Sequence, residues 1–360
     1  MTMLSEDARP APARGAAPAN PTRLRHPAFL LNAPFSFSTE VPNNIWMREY
    51  PERERPVDHH RAMAQFLRLQ ACMAAHALVY MLPTPRTSGL QDLVFTANLG
   101  IALDHLPDGN DVVVSSFTSA PRRGETEVGV GFFESMGYRT HVAPHRFEGE
   151  ADLKHLHGNV YVGGWGMRSD PAVHDWFERT FDMRIVRVEM TDPYLYHLDC
   201  CVFPLTREHT LVCTEAFTKR ELDELARHTE IIDVSMASSR IGLCNSVRLD
   251  RTVVNGSNLH GMRPGTEEHR LERAKNDELA AIADAHGLDV AHIDLSEYHK
   301  GGADLSCLVM HLNRYSYDQP AGRPPADAAD PRQAAAAGSG PRLVVQPRTP
   351  ADEQRSKQDA

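Results

Sequence analysis

A glycine-rich turn, Gly301-Gly302-Ala303-Asp304-Leu305-Ser306, delivers Cys307 to the start of an apolar run, Leu308 to Leu312. A cysteine that only packs sits more usually inside such a run. One at a Gly-rich strand mouth can be approached closely by a ligand and by a histidine. A lone cysteine is most often a small buried hydrophobe, so the case for a nucleophile rests on three more polar motifs upstream. These are Gln91-Asp92-Leu93-Val94-Phe95-Thr96-Ala97-Asn98, Phe147-Glu148-Gly149-Glu150-Ala151-Asp152 and Tyr196-His197-Leu198-Asp199. Singly, each has a plain reading. Asn98 suits a turn after a strand, Glu148, Glu150 and Asp152 suit a solvated strand face, and His197 with Asp199 suits a structural pair.

Together these residue types match one kind of chemistry, attack on a guanidinium carbon. That group is cationic and resonance-stabilised, so a soft thiolate is a better nucleophile than a hydroxyl, although a free thiol with a pKa of about 8.5 is mostly protonated at neutral pH. Carboxylates accept guanidinium N–H groups in bidentate fashion and balance the charge in a water-poor pocket. A histidine, with a pKa of about 6.5, can give a proton to a departing amine and later draw one from water.

Elements that would position these residues follow from periodicity. Apolar spacing predicts helices at about His59 to His76, Pro121 to Met136, Pro171 to Phe181, Lys219 to Arg227 and Glu267 to His286. Asp170 and Pro171 read as N-cap and first helical residue, and Thr218 to Glu221 as a capping box. Each helix precedes short apolar strands: Leu78 to Leu82 and Val94 to Leu103; Tyr138 to Val142 and Asn159 to Val162; Arg184 to Val188, Cys201 to Leu205 and Thr210 to Cys213; Glu230 to Val234 and Thr252 to Val254; Val290 to Ile293 and Leu305 to Leu312. The unit recurs at roughly 45 to 60 residues, a repeat signature. Five units suggest an α/β ring with helices outside and strands inside, which would gather the polar loops at one end of its axis. An open doubly wound sheet is the alternative.

The 360 residues allow one large domain or two ordinary ones. Residues 1–22 and 317–360 are rich in Pro, Ala, Gly and Arg without a periodic apolar face, so they read as disordered ends flanking a single catalytic domain over 23–316. A net charge of −10 argues against nucleic acid as a partner. Six cysteines (Cys72, Cys200, Cys201, Cys213, Cys244, Cys307) without paired spacing suggest reduced thiols in a cytoplasm and no metal site. No apolar stretch reaches membrane-spanning length, and Ala28-Phe29-Leu30-Leu31 is too short for a signal core. No phosphate-binding glycine motif follows a predicted strand. The expected partner is therefore a small molecule, with no cofactor, no membrane and self-association left open.

The four motifs, in this order and over about Phe29 to Asn313, resemble the guanidino-group-modifying superfamily, the penteins, which includes arginine deiminases, arginine dihydrolases, dimethylarginine dimethylaminohydrolases and amidinotransferases. The resemblance implies a five-fold pseudosymmetric α/β propeller. It makes Cys307 the nucleophile, His197 the general acid and base, Glu148 the acidic partner for guanidinium N–H groups and Asp199 a second substrate-binding carboxylate. Related members often place the acid three residues before the aspartate matching Asp152, here Gly149, so Glu148 and Glu150 compete for that role. Arg122 or Arg123 resembles the arginine that grips a substrate α-carboxylate. Asn98 stands where deiminases and dimethylarginine hydrolases carry an aspartate. An amide both donates and accepts, so it could hold the carbonyl of a ureido intermediate. Arginine dihydrolases are similar here, and also at Asn43-Asn44-Ile45-Trp46-Met47, where Ile45 replaces their proline. The implied activity is hydrolysis of the guanidino group of arginine or a close derivative through a covalent amidino-thioether. An amidinotransferase, or an inactive propeller serving as a binding module, is the alternative.

Overall fold

The computed structural model describes residues 20–86 and 89–318. Among them the strands form five separate three-stranded sheets, so the single open sheet is not what the chain builds. Four sheets follow one plan, an antiparallel hairpin and then a helix that returns the chain to a parallel third strand. The first has Gly100–Ala102, Asp111–Val114 and Arg139–Val142, and the second Leu153–His157, Val160–Trp165 and Arg184–Glu189. The third has Val202–Pro204, His209–Val212 and Glu230–Asp233, and the fourth Ser246–Leu249, Thr252–Gly256 and Asp289–Ile293. A hairpin joins antiparallel neighbours directly, whereas a parallel neighbour needs a crossover, which the helices Glu125–Ser135, Pro171–Phe181, Lys219–Leu225 and Glu267–Ala285 supply.

The fifth sheet joins the two ends of the described chain. Its central strand, Ala28–Asn32, pairs parallel with Leu78–Leu82 across the helix His59–Ala74, and antiparallel with Met310–His311 through Phe29 with His311 and Leu30 with Met310. The sequence reading weighed Ala28 to Leu31 only as a signal core. In the structure every residue of this strand is buried, as expected for a strand covered on both faces. Third strands such as Glu230–Asp233 and Arg139–Val142 keep charged ends in water, which blunts an edge.

Helix starts follow the expected signals: Asp170 accepts from Ala172 N ahead of Pro171, and Thr218 with Glu221 forms a reciprocal capping box. Strand lengths differ from expectation. The apolar stretch 94–103 holds a single-turn helix, Thr96–Asn98, before a strand of only Gly100–Ala102. The Thr96 hydroxyl there donates to the carbonyls of Leu30 and Leu308, at 2.8 and 2.9 Å, a side-chain claim on the backbone that hydropathy does not register. Similarly, 305–312 splits into the turn Leu305–Leu308 and a two-residue strand.

Most of the expected disordered ends, 1–19 and 319–360, lies outside the described residues. The inner edges are folded: Pro21–Arg23 is a helical turn capped by Asn20, and Tyr317 is buried.

Single-turn helices precede the hairpins and pack on one another. Thr96–Asn98 touches both Gly149–Ala151 and Leu305–Leu308, Gly149–Ala151 touches Leu198–Cys200, and Leu305–Leu308 touches the strand Ser246–Leu249. These turns carry the polar motifs.

Candidate active site

Cys307 sits on the turn Leu305–Leu308, whose start is held by Asp304, its Oδ1 accepting from Leu305 N at 2.8 Å. The turn presents Cys307 to a small cavity walled also by Asn98, His197, Arg122, Arg168 and Asp92. Its Sγ lies 3.6 Å from Asp199 Oδ2 and 3.5 Å from Asn245 Nδ2. Neighbouring Ser306 fixes both partners: its hydroxyl donates to Asp199 Oδ2 at 2.6 Å, and its N–H donates to Asn245 Oδ1 at 2.8 Å. Burial, and next the Asp199 carboxylate, push the Cys307 thiol well up. Both effects favour the thiol over the thiolate.

His197 Nε2 lies 2.8 Å from Glu148 Oε2 and 3.3 Å from the Asn98 side-chain amide. Burial alone would raise Glu148. The hydrogen bond from His197 and the charges of Arg168 and Arg122 prevail and hold its carboxyl down at about 2. An ionised Glu148 accepts, so His197 carries its proton on Nε2.

Arg122 is gripped by Glu125 in a bidentate pair, at 2.9 and 2.8 Å, and reaches Glu148 at 3.6 Å. Arg123 instead donates to the Thr118 carbonyl at an exposed position, so only Arg122 reaches the cavity. Arg168 extends beside it, 3.4 Å from Glu148 and 4.9 Å from the Tyr196 ring centroid, with a 2.8 Å bond to the Asn43 carbonyl. Asp92 accepts from Asn43 at 2.6 Å, and burial first of all raises its pKa.

Asn44 reaches the cavity wall, but its side chain is engaged in structure. Its Oδ1 caps the helix Ile45–Glu49 through Met47 N at 2.9 Å, and its Nδ2 donates to the Gly301 carbonyl at 2.9 Å. Gly302 has φ +74° directly against the Asn44 amide, where any Cβ would both strain the backbone and strike Asn44. The glycine pair therefore lets the early loop clamp the cysteine turn.

Two residues expected as substrate ligands lie elsewhere. An extended segment would put Glu148, Glu150 and Asp152 on one face, but Gly149–Ala151 is a helical turn with Gly149 at φ +66°, pressed against the Ala97 and Asn98 backbone. The three acids consequently diverge. Glu148 turns toward His197 on the wall of Cys307's cavity, whereas Glu150 turns away to His311 and Arg314, at 2.9 and 2.7 Å. Asp152 accepts from the Ser169 hydroxyl at 2.6 Å and from Leu198 N at 3.1 Å, tying two units together. Burial is the main reason its pKa rises to about 6.

Sequence reasoning missed Asn245, Arg168 and the cavity placement of Asp92. Asp92 lay inside a motif already singled out. Asn245 had a usable signal, because polar turns were read in every unit but the one containing Leu243-Cys244-Asn245-Ser246, and the repeat pointed there. Arg168, in a loop after the strand Val160–Trp165, had none. Among the described residues no helix is long and apolar enough to cross a membrane.

A buried cysteine, a histidine paired with an ionised glutamate, and two arginines gather around one cavity, the candidate active site. No family profile matches the chain, but individual proteins do. It is 27% identical over 300 residues to the bifunctional arginine dihydrolase/ornithine cyclodeaminase AgrE of Nostoc sp., a match covering 81% of this chain and 38% of that protein. The chain thus spans about two fifths of the length of that relative. It is 28% identical over 312 residues to the N(G),N(G)-dimethylarginine dimethylaminohydrolase of Mycobacterium tuberculosis, covering 85% of this chain and 92% of the other. In fold it matches the N-terminal domain of the cyanobacterial arginine dihydrolase ArgZ, a structure covalently bound to a reaction intermediate, with TM-score 0.68, 24% identity, and coverage of 83% of this chain and all of that one. The resemblance read from the motifs agrees with these similarities to an arginine dihydrolase and a dimethylarginine dimethylaminohydrolase.

Proposed function

We propose that the chain is a cysteine-dependent hydrolase of the guanidino group of arginine or a close derivative, working through an amidino-thioether on Cys307. One observation carries this reading. Cys307, His197, Asn98, Arg122 and Arg168 wall a single cavity, and Glu148 stands behind it, bonded to His197. The arginines suit an α-carboxylate, and the ionised Glu148 suits a guanidinium. The same reading takes the five sheets as blades around a pseudo-five-fold axis, with residues 23–316 as the catalytic domain. Its support is the mutual packing of the short helices that precede the hairpins.

The raised Cys307 pKa fits this scheme. A bound guanidinium brings positive charge beside the sulfur, offsetting Asp199 and favouring the thiolate. The thiolate attacks the guanidinium carbon, and the tetrahedral adduct collapses as the proton on His197 Nε2 passes to the departing amine. Water then attacks the amidino carbon, His197 takes back a proton, and the thiol leaves. Each cycle consumes one water and releases one amine.

Asn98 favours a second hydrolysis. Its side chain lines the same cavity as Cys307, and an amide, unlike a carboxylate, can donate to a ureido carbonyl. Mass spectrometry of products from arginine, from methylated arginines and from arginine with added amines tests the proposal. Ornithine with two ammonia per arginine supports the dihydrolase reading, and citrulline alone limits the chain to one hydrolysis. Amidinated amine formed faster than hydrolysis product would replace hydrolase by amidinotransferase, and no turnover of any guanidino compound would leave a binding module.

A further inference from the structure

Behind the Cys307 turn lies another small cavity, with Ser306, Glu150, His311, Arg314 and Lys154 on its walls. It is no smaller than the cavity around Cys307. Glu150 is fully engaged there: Oε1 accepts from His311 N and Nδ1, both at 2.9 Å, and Oε2 accepts from Arg314 Nη2 at 2.7 Å. Two buried atoms are left over. His311 Nε2 and Arg314 Nη1 have no hydrogen-bond partner, although both residues are more than nine-tenths buried.

Their chemistry is complementary rather than alike. His311 gives its Nδ1 proton to Glu150, and burial, then the charge of Arg314, keep the ring from gaining a second proton. Its Nε2 is therefore a lone pair that needs a donor. Arg314 Nη1 carries only N–H and needs an acceptor. Buried polar atoms of this kind are costly when unmet, so the cavity calls for an occupant that does both. Charge narrows the class: on the cavity wall itself two cations, Arg314 and Lys154, face one carboxylate, Glu150. Farther out, Arg207 meets Asp318 at 3.0 Å and Asp104 lies 3.5 Å from His155 Nδ1.

We propose that this cavity binds a small oxyanion that carries its own proton, the chemistry shared by bicarbonate and hydrogen phosphate. The anion accepts from Arg314 Nη1 and Lys154 while its hydroxyl donates to His311 Nε2. Sulfate and nitrate, which have no proton at neutral pH, fit the charge but meet the His311 lone pair with another lone pair.

Calorimetric titration of the full chain near pH 7, at constant ionic strength, with bicarbonate, inorganic phosphate, sulfate and nitrate tests this directly. Saturable binding is expected for bicarbonate, phosphate or both, undisturbed by excess sulfate or nitrate, and which of the two binds identifies the ion. Lys154→Gln, at a partly exposed position, should weaken that binding about tenfold, the loss of a charge-assisted bond, with basal turnover unchanged. Nitrogen NMR should show the His311 Nε2 resonance, assigned by its disappearance in His311→Gln, moving as the anion is added. Equal binding of all four anions would reduce the effect to general surface charge. Absence of saturation by any would mean the cavity holds water only. Either result, or a His311 signal that stays still while the anion binds, overturns the proposal.

Discussion

Glu148 and Glu150 stand two residues apart, are equally buried, and are both held at about 2 against the upward push of burial. Glu148 has a histidine and two arginines around it, and Glu150 a histidine and one arginine. Yet the first backs the histidine of the Cys307 cavity, and the second lines the cavity behind it. A perturbed acid in a polar cluster therefore does not by itself mark a catalytic site. What separates the two is the third group: a cysteine held by Asp199 and Asn245 faces the first cluster, while the second has the hydroxyl of Ser306 on its wall.

That contrast can be broken most severely at the nucleophile. Cys307→Ser should abolish turnover while leaving fold and substrate binding largely intact, and rapid quenching of the wild type should trap a mass adduct on the Cys307 peptide. An adduct on Cys200 or Cys201 would relocate the chemistry. His197→Ala comes next, with an expected rate loss of about 100-fold to 10,000-fold in steady-state assays. A loss under about tenfold would make His197 a structural residue like His311.

The two glutamates then test the contrast itself. Glu148→Gln should cut turnover by about 100-fold or more at little cost in melting temperature. Glu150→Gln should do the reverse, because Arg314 is left buried without its counter-charge, a loss of about 3 to 5 kcal/mol in denaturant unfolding. Similar activity losses in both variants would erase the distinction.

Acidity gives a smaller, signed effect. The folded pKa of Glu150, about 2, is below the ordinary value, so its stabilisation is complete above about pH 4.3 and lost as pH falls toward 2. Asp152 runs the other way. Its folded value of about 6 means that ionisation in the folded state is resisted, so stability declines as pH rises from about 4 to 6. Unfolding curves across this range should lose the second slope in Asp152→Asn and keep the first. The mildest change is in product: Asn98→Asp should release citrulline early and let it accumulate, because a carboxylate repels a ureido carbonyl that an amide holds.

Much of this was legible before any coordinates. Helix starts at Asp170 and Thr218, the repeated helix-and-strand unit and the four polar motifs depend on neighbours within a few residues, and local chemistry decides them. The sequence also carried the choice of Cys307 over five other cysteines, through the glycines that precede it. Long-range pairing it did not carry. The strand Ala28–Asn32 is central only because Met310–His311 arrives beside it. The divergence of Glu148, Glu150 and Asp152 depends on a backbone turn pressed against Ala97 and Asn98, about fifty residues upstream. Arg168 joins the site from a loop whose own sequence shows no chemistry, and Asn245 from a unit where only the repeat pointed to it. Residue type and spacing pointed to the chemistry proposed for the chain. Tertiary packing decided which of several equivalent acids and arginines face the sulfur, because a side chain's direction is set by contacts that lie far apart along the chain.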